Sequence, residues 1–212
     1  MGIENRWLLA IGAGIVYGST FRPSEWVRDG ALSLIGPRPY EGIWILIPHL
    51  LLYGTMTAAL AAICWTILAR SNAMPPPGLG SSKPVLAWAM IGGIASVIAS
   101  LLFLWAAGVG RLTWVGFDGW KFAGNLFSNF YEEFVYRGFL LVALTRLIRF
   151  WPAAVLSSLA FGLGHEQYPL SLQLFIAVVS IGWCWIVRRT GSIWSAWGAH
   201  MVVDIVIDAM WG

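Results

Sequence analysis

The sequence predicts an all-α fold, a polytopic membrane helix bundle of about seven transmembrane helices, with a range of about six to eight. Hydrophobic residues make up 58% of the 212 residues and charged residues only 11%, whereas soluble domains carry roughly 25% charged residues. The mean hydropathy is +0.73, and a soluble chain of this length could not bury so much apolar surface in one core. Fourteen Trp and six Tyr suit the aromatic belts at the edges of a bilayer.

Successive apolar runs predict the helices in chain order. A transmembrane helix needs about 20 residues, and the second, third, fourth and seventh runs reach that length, while the sixth is adequate. The first and fifth runs are short, which predicts a tilted, extended or partly re-entrant course. The runs cover approximately residues 7–19, 43–69, 85–108, 121–145, 151–165, 169–187 and 192–211.

The segments between these runs predict loops within one integral membrane domain that covers residues 1–212. Residues 20–42 contain several prolines and mixed charges, which predicts a loop with an interfacial helix near 24–35. Residues 74–82 are rich in Pro, Gly and Ser and predict a plain linker. The first apolar run lacks a clear cleavage site and is expected to be retained as a span or anchor.

Charge and cysteine content exclude some classes of function. The net charge is +3 and the basic residues are dispersed between apolar runs, so no nucleic-acid partner is expected. Membrane lipid is the expected partner. Cys64 and Cys184 lie in apolar runs and are interpreted as small buried hydrophobes rather than a disulfide.

Basic residues predict the orientation. The connections after the second, fourth and sixth helices carry Lys and Arg without acidic residues, so the positive-inside rule places them in the cytoplasm. This assignment requires that every intervening helix spans the membrane. The first loop carries three arginines and argues against it, and the N-terminus is cytoplasmic only if residues 7–19 cross the membrane. The basic residues that support it are Arg70, Lys83, Arg146, Arg149, Arg188 and Arg189.

Three polar clusters interrupt the later apolar runs. An ionisable side chain at the bilayer centre costs at least about 2.5–3.5 kcal/mol, so these groups are expected to pair around a polar cavity. The clusters are Glu132-Glu133-x-x-x-Arg137, Phe161-x-x-x-His165 and His200-x-x-x-Asp204.

Helix geometry lets Glu133 pair with Arg137 and leaves Glu132, about 100° away, facing another space. A structural ion pair is the alternative, but such a pair needs only one carboxylate. His165 and His200 could likewise be satisfied buried histidines. Two glycines before His165 predict a close helix approach. His49 is interpreted as structural, and Asp208 as a solvated helix end.

The depth of the clusters favours a single site. Counting about 1.5 Å per residue from the basic ends, Glu132 and Asp204 lie about 21 Å into the slab and His165 about 22 Å. A carboxylate and an imidazole can turn water into hydroxide, and a second imidazole can donate to an oxyanion, which is the chemistry of amide hydrolysis. Metal ligation by His and Asp is also possible at this spacing.

With all three clusters in this order, the sequence resembles the CAAX protease and bacteriocin-processing family of intramembrane proteases, also called Abi proteins. The resemblance covers about residues 120–211, which would hold the catalytic helices, while residues 1–119 resemble it only as generic spans. It implies an intramembrane glutamic endopeptidase in which Glu132 and His165 activate water. His200 and Asp204 would then form the oxyanion side, and Glu133 and Arg137 would support Glu132.

One residue departs from the family pattern, because Asp204 stands where better-studied members carry Asn. An ionised Asp204 would repel an oxyanion, which leaves three interpretations open. The apolar setting keeps Asp204 protonated, Asp204 instead orients His200, or a metal ion is bound. No cofactor is favoured, and zinc held by His165, His200 and Glu132 is the alternative.

Two other functions remain open. The buried Glu, His and Asp could form the relay of a proton-coupled transporter, although no inverted repeat is evident. The chain could also be a non-catalytic membrane scaffold or immunity protein. The expected substrate is a protein or peptide with a membrane-associated or C-terminal segment, and the expected location is a prokaryotic inner (plasma) membrane, with the site nearer the outer leaflet.

Overall fold

The structure is a computed structural model that describes residues 3–21, 54–70, 83–108 and 113–210. Within those ranges the chain is helical and contains no strand, which confirms the all-α prediction. A π-helical segment, Phe134–Leu140, joins α4 to α5 without a break. The helices are α1 (Ile3–Phe21), α2 (Gly54–Arg70), α3 (Lys83–Ala106), α4 (Gly119–Glu133), α5 (Leu141–Leu147), α6 (Phe150–Leu163), α7 (Leu170–Thr190) and α8 (Trp194–Met210).

Each predicted apolar run overlaps a helix of the structure. The run predicted over 121–145 corresponds to α4, the π-helical segment and α5 taken together. The first run is longer than predicted, since α1 has 19 residues, and α6 is short at 14 residues. Several predicted segments lie outside the described residues. They are the interfacial helix near 24–35, residues 43–53 with His49, and the whole linker over 74–82.

Two of the described helices are long and apolar enough to cross a membrane, Pro84–Ala106 and Leu170–Thr190. Ala59–Arg70 and Phe150–Leu163 are shorter apolar helices. Polar residues such as Glu133 lie inside, while the outer face of α3 presents large apolar side chains. This distribution is the reverse of a soluble protein and fits integration into a membrane. The number of spans stays a prediction.

Small residues bring α3 and α8 into close contact. A Cβ atom on Gly93 would lie 2.6 Å from the Cβ atom of Val202, and one on Gly198 would lie 2.8 Å from that of Ala89. No side chain fits at either glycine without movement of the facing helix. Close backbone approach through Gly and Ala is the usual way in which helices pack inside a membrane.

The close helix approach predicted before His165 is present at Gly162. A Cβ atom there would lie 2.7 Å from the backbone nitrogen of Ala177, so the backbone of α6 touches that of α7. His165 follows within one turn, directly after the end of α6. The glycine thus fixes the position of the histidine relative to α7.

The two ends of the bundle differ in chemistry. At one end, the Arg188 guanidinium lies 4.4 Å from the centre of the Phe150 ring, so the basic ends of α7 and α5 are neighbours. At the other end, the extended residues 113–115 cap α8 with two backbone hydrogen bonds to Ala209 and Met210. Trp114 is 77% exposed there, as expected of an aromatic side chain at a membrane interface.

Candidate active site

The first polar cluster lies where the long helix changes from α to π geometry. Glu133 is the last residue of α4, and Arg137 lies inside the π-helical segment, most of which is buried. The carbonyl of Tyr136 accepts the wide π-helical bond from Leu141, and it also accepts a hydrogen bond from Ser157 Oγ at 2.8 Å. Short π-helical segments of this kind are frequent at functional sites.

The predicted ion pair of Glu133 and Arg137 is present. The Oε1 atom of Glu133 lies 3.0 Å from the Nη1 atom of Arg137, and both side chains are fully buried. The same oxygen lies 3.1 Å from the Nδ1 atom of His200. Glu133 therefore connects the first and third clusters, a link that the sequence did not reveal because α4 and α8 are far apart along the chain.

Arg137 is also held by two serines that the sequence did not single out. Its Nη2 atom donates to Ser180 Oγ at 2.6 Å, and Ser180 donates to Ser158 Oγ at 2.9 Å. The guanidinium lies 4.2 Å from the centre of the Phe161 ring. Serine is so common in membrane helices that its sequence position alone carries no signal, whereas the hydrogen bonds tie α6 and α7 to the polar centre.

The second nitrogen of His200 faces two carboxylates. Its Nε2 atom lies 3.9 Å from Glu132 Oε2 and 3.8 Å from Asp204 Oδ1. Both distances are too long for a direct hydrogen bond and suit a bridging water molecule. The imidazole packs against Trp183, with ring centres 4.7 Å apart, so its orientation is fixed from the side.

His165 presents one nitrogen for chemistry. Its Nδ1 atom lies 2.8 Å from the backbone carbonyl of Phe161, and a carbonyl can only accept, so Nδ1 carries the proton. The Nε2 atom then has a lone pair and can act as a base. The ring lies parallel to that of Tyr168, with centres 6.2 Å apart.

Asp204 and Asp208 are both bound to α4. Asn129, which the sequence analysis did not assign a role, donates to Asp204 Oδ2 at 2.8 Å. Asp208 forms an ion pair with Lys121 at 2.6 Å and accepts from Asn125 at 2.9 Å. The prediction that Asp208 is a solvated helix end is therefore wrong, because α4 packs against the last turns of α8.

One cavity of about 340 Å³ receives polar groups from two of the clusters. His165, His200 and Asp204 line it, together with apolar side chains of α3 and α7 such as Phe103 and Phe175. Glu132 is not among the residues that line the cavity, and its carboxylate approaches these groups at His200, 3.9 Å from the Nε2 atom. The structure thus brings the predicted residues of three helices together, and their catalytic roles stay predictions.

Tyr168 lies at the edge of this cavity, in the connection between α6 and α7. Burial raises the pKa of its phenol above the ordinary value, and the charges of Asp204 and Asp208 raise that pKa further. The hydroxyl group therefore stays protonated at neutral pH and is available as a hydrogen-bond donor beside His165.

The residues that could hold a metal ion do not converge on one point. Among the residues that the structure describes, no three His, Cys, Asp or Glu side chains are placed to bind a common ion. His200 Nδ1 is engaged by Glu133, and His165 Nδ1 by a carbonyl. In this arrangement, the three side chains that could hold zinc do not form a metal site. They are His165, His200 and Glu132.

Residues 119–206 match the sequence model of a protein family described as Type II CAAX prenyl endopeptidase Rce1-like. The matched range extends from α4 into α8 and contains all three polar clusters. The match confirms the family resemblance that the motifs indicated. No curated protein and no solved structure is significantly similar to the chain.

Proposed function

We propose, from the match to an endopeptidase family, that this chain is a membrane-integrated peptidase that hydrolyses a peptide bond with a water molecule activated by Glu132 and His165. One observation carries the proposal. The Nε2 atom of His200 lies 3.9 Å from the Glu132 carboxylate. His200 and His165 line the same cavity. Separate structural pairs would have no reason to meet there.

In the proposed reaction, Glu132 takes a proton from water, and the oxygen attacks the carbonyl carbon of the scissile bond. His165 can share this role, since its Nε2 atom has a lone pair. The C–N bond then breaks, and the proton passes to the leaving amine. A positioned carboxylate or imidazole base contributes about 10²–10⁴-fold to such a rate.

His200 is proposed to stabilise the oxyanion of the tetrahedral intermediate. Because Nδ1 donates to Glu133, donation from Nε2 requires the doubly protonated ring. Carboxylates beside both nitrogens favour that cation. Asp204 is proposed to orient His200, since one of its oxygens is bound by Asn129 and the other faces Nε2.

The cavity suggests the class of substrate. Its walls from α3 and α7 are largely apolar, whereas its histidines and aspartates lie on the α6 and α8 sides. We expect a protein or peptide whose scissile bond belongs to a membrane-associated or C-terminal segment. Under the positive-inside orientation the site lies nearer the outer leaflet of a prokaryotic plasma membrane.

The proposal is tested by mapping new protein termini in membranes from three strains, one with the wild-type chain, one lacking it and one with Glu132→Ala. We expect a set of termini that only the wild-type strain produces. Identical termini in all three strains would contradict the peptidase proposal. Proton flux in liposomes without peptide products would instead identify a transporter, and an unchanged biological effect of Glu132→Ala would identify a scaffold.

Removal of divalent metals is expected to leave the activity unchanged, because the proposed water is held by side chains alone. The measurement is hydrolysis by the purified protein after dialysis against a chelator, with and without added zinc. A loss of hydrolysis that zinc reverses would contradict the metal-free mechanism and support the alternative in which Glu132, His165 and His200 bind the ion.

A further inference from the structure

Polar contacts between α4 and α8 recur at every fourth residue. Asn125 donates to Asp208 at 2.9 Å, Asn129 donates to Asp204 at 2.8 Å, and Glu133 accepts from His200 at 3.1 Å. Each step moves four residues forward on α4 and four residues back on α8. We call these three contacts the polar ladder.

The spacing of the polar ladder has a geometric consequence. Residues four apart share one face of a helix and are separated by about 6 Å along its axis. The ladder therefore runs along a single seam between two antiparallel helices. A slip of α8 by one turn would place Glu133 opposite Asp204 in one direction and opposite Ala196 in the other. In either case the buried carboxylate would lose the imidazole that it binds, which is unfavourable in an apolar setting.

In two of the three contacts, the α4 residue is an asparagine that has no role in the proposed chemistry. Asn129 is only 3% exposed, and its amide nitrogen contacts two side chains of α8, those of Asp204 and Met201. Asn125 contacts Asp208, which also pairs with Lys121. These contacts extend from the outer end of α4 to the pair of Glu133 and His200.

We propose that Asn125 and Asn129 are positioning residues, and that the polar ladder sets the register of α4 and α8 at which Glu132 lies against the Nε2 atom of His200. Glu132 immediately precedes Glu133 on α4, so its distance from His200 depends on this register. The inference rests on the proposed function, because it assigns the ladder to the arrangement of that same site.

The outer contact offers a test by exchange of partners. Asn125→Asp places two carboxylates opposite each other, and Asp208→Asn removes the charge that Lys121 pairs with. The double variant N125D/D208N has one amide and one carboxylate again, in exchanged positions. Its new carboxylate at position 125 lies four residues from Lys121 on the same helix face, so it can still pair with that lysine. Neither residue belongs to the proposed catalytic group.

The measurement is kcat and KM for a fluorogenic peptide that spans a bond identified by terminal mapping, in purified protein reconstituted in liposomes. We expect Asn125→Asp to lower kcat by about tenfold with KM within about twofold, and the double variant to recover most of that loss. Asn129→Ala is expected to lower kcat by up to about 100-fold, because its contact lies nearer the site.

Thermal unfolding of the same variants gives a readout without substrate. Ser195→Ala is the matched control, since Ser195 is a buried residue of α8 whose hydroxyl bonds Ser192 and Thr190, away from the polar ladder. The kcat of this variant should not change. Lower stability of Asn125→Asp with an unchanged kcat, or no recovery in the double variant, would overturn the inference. If the wild type hydrolyses no peptide, the proposed function fails, and recovery of stability in the double variant still tests the pairing.

Discussion

Substitution of Glu132 by glutamine is expected to abolish hydrolysis, with kcat reduced by about 10²–10⁴-fold, the usual contribution of a general base. Glutamine has nearly the same shape as glutamate but cannot take a proton from water. The Glu132 side chain is 28% exposed and meets His200 only at 3.9 Å, so the fold should tolerate the change. The measurement is the rate of cleavage of a mapped substrate in liposomes.

Glu166→Gln is the matched control for this variant. Glu166 is an exposed carboxylate that directly follows His165, and its substitution alters the net charge by the same amount. We expect its activity to equal that of the wild type, and both variants to unfold at the wild-type temperature. Full activity of Glu132→Gln would remove the general base from the mechanism and leave the proposed peptidase without its central residue.

The sequence was informative where a single helix determines the result. The pair of Glu133 and Arg137 depends only on helical spacing, and it was predicted correctly. The apolar runs predicted the helices because membrane helices need long apolar stretches. The close approach at Gly162 was also predictable, since glycines in an apolar helix commonly mark a close contact between helices.

The sequence was uninformative where the result depends on how two helices pack. Asn129 and Asp204 are distant along the chain, and only the register of α4 and α8 makes them partners. The same register binds Asp208 to Lys121, which is why a solvated end was wrongly expected there. The depth argument placed Glu132, His165 and Asp204 in one layer, but depth alone could not indicate that Glu132 would stay outside the cavity lining.

The bonds at the polar centre fit the proposal that Glu133 and Arg137 serve the site more than the stability of the fold. Among the described residues, Glu133 Oε2 and Arg137 Nε are buried atoms with no hydrogen-bond partner. A pair optimised for stability would satisfy both atoms, and apolar residues of similar size often serve at least as well as a buried ion pair. Glu133, however, also fixes the imidazole of His200 through Nδ1.

Arg137→Met is therefore expected to destabilise the protein by about 3–5 kcal/mol, because it removes the guanidinium from the buried Glu133 carboxylate and leaves only the contact with His200. The double variant E133L/R137M is expected to recover most of this stability, since both charges are then removed together. It should nevertheless stay inactive, because His200 loses the acceptor that orients it. Thermal unfolding and peptide hydrolysis, measured on the same liposome preparations, separate these two effects.

The double variant decides between the two roles of the ion pair. If it is stable and inactive, Glu133 and Arg137 act on His200, as the contact of 3.1 Å between Glu133 and the imidazole suggests. If it is stable and fully active, the pair only joins helices, and the orientation of His200 must come from Trp183 and Asp204 instead. Because a charged pair without a role in the site could be replaced by apolar residues at little cost, its persistence in an apolar helix favours the first result.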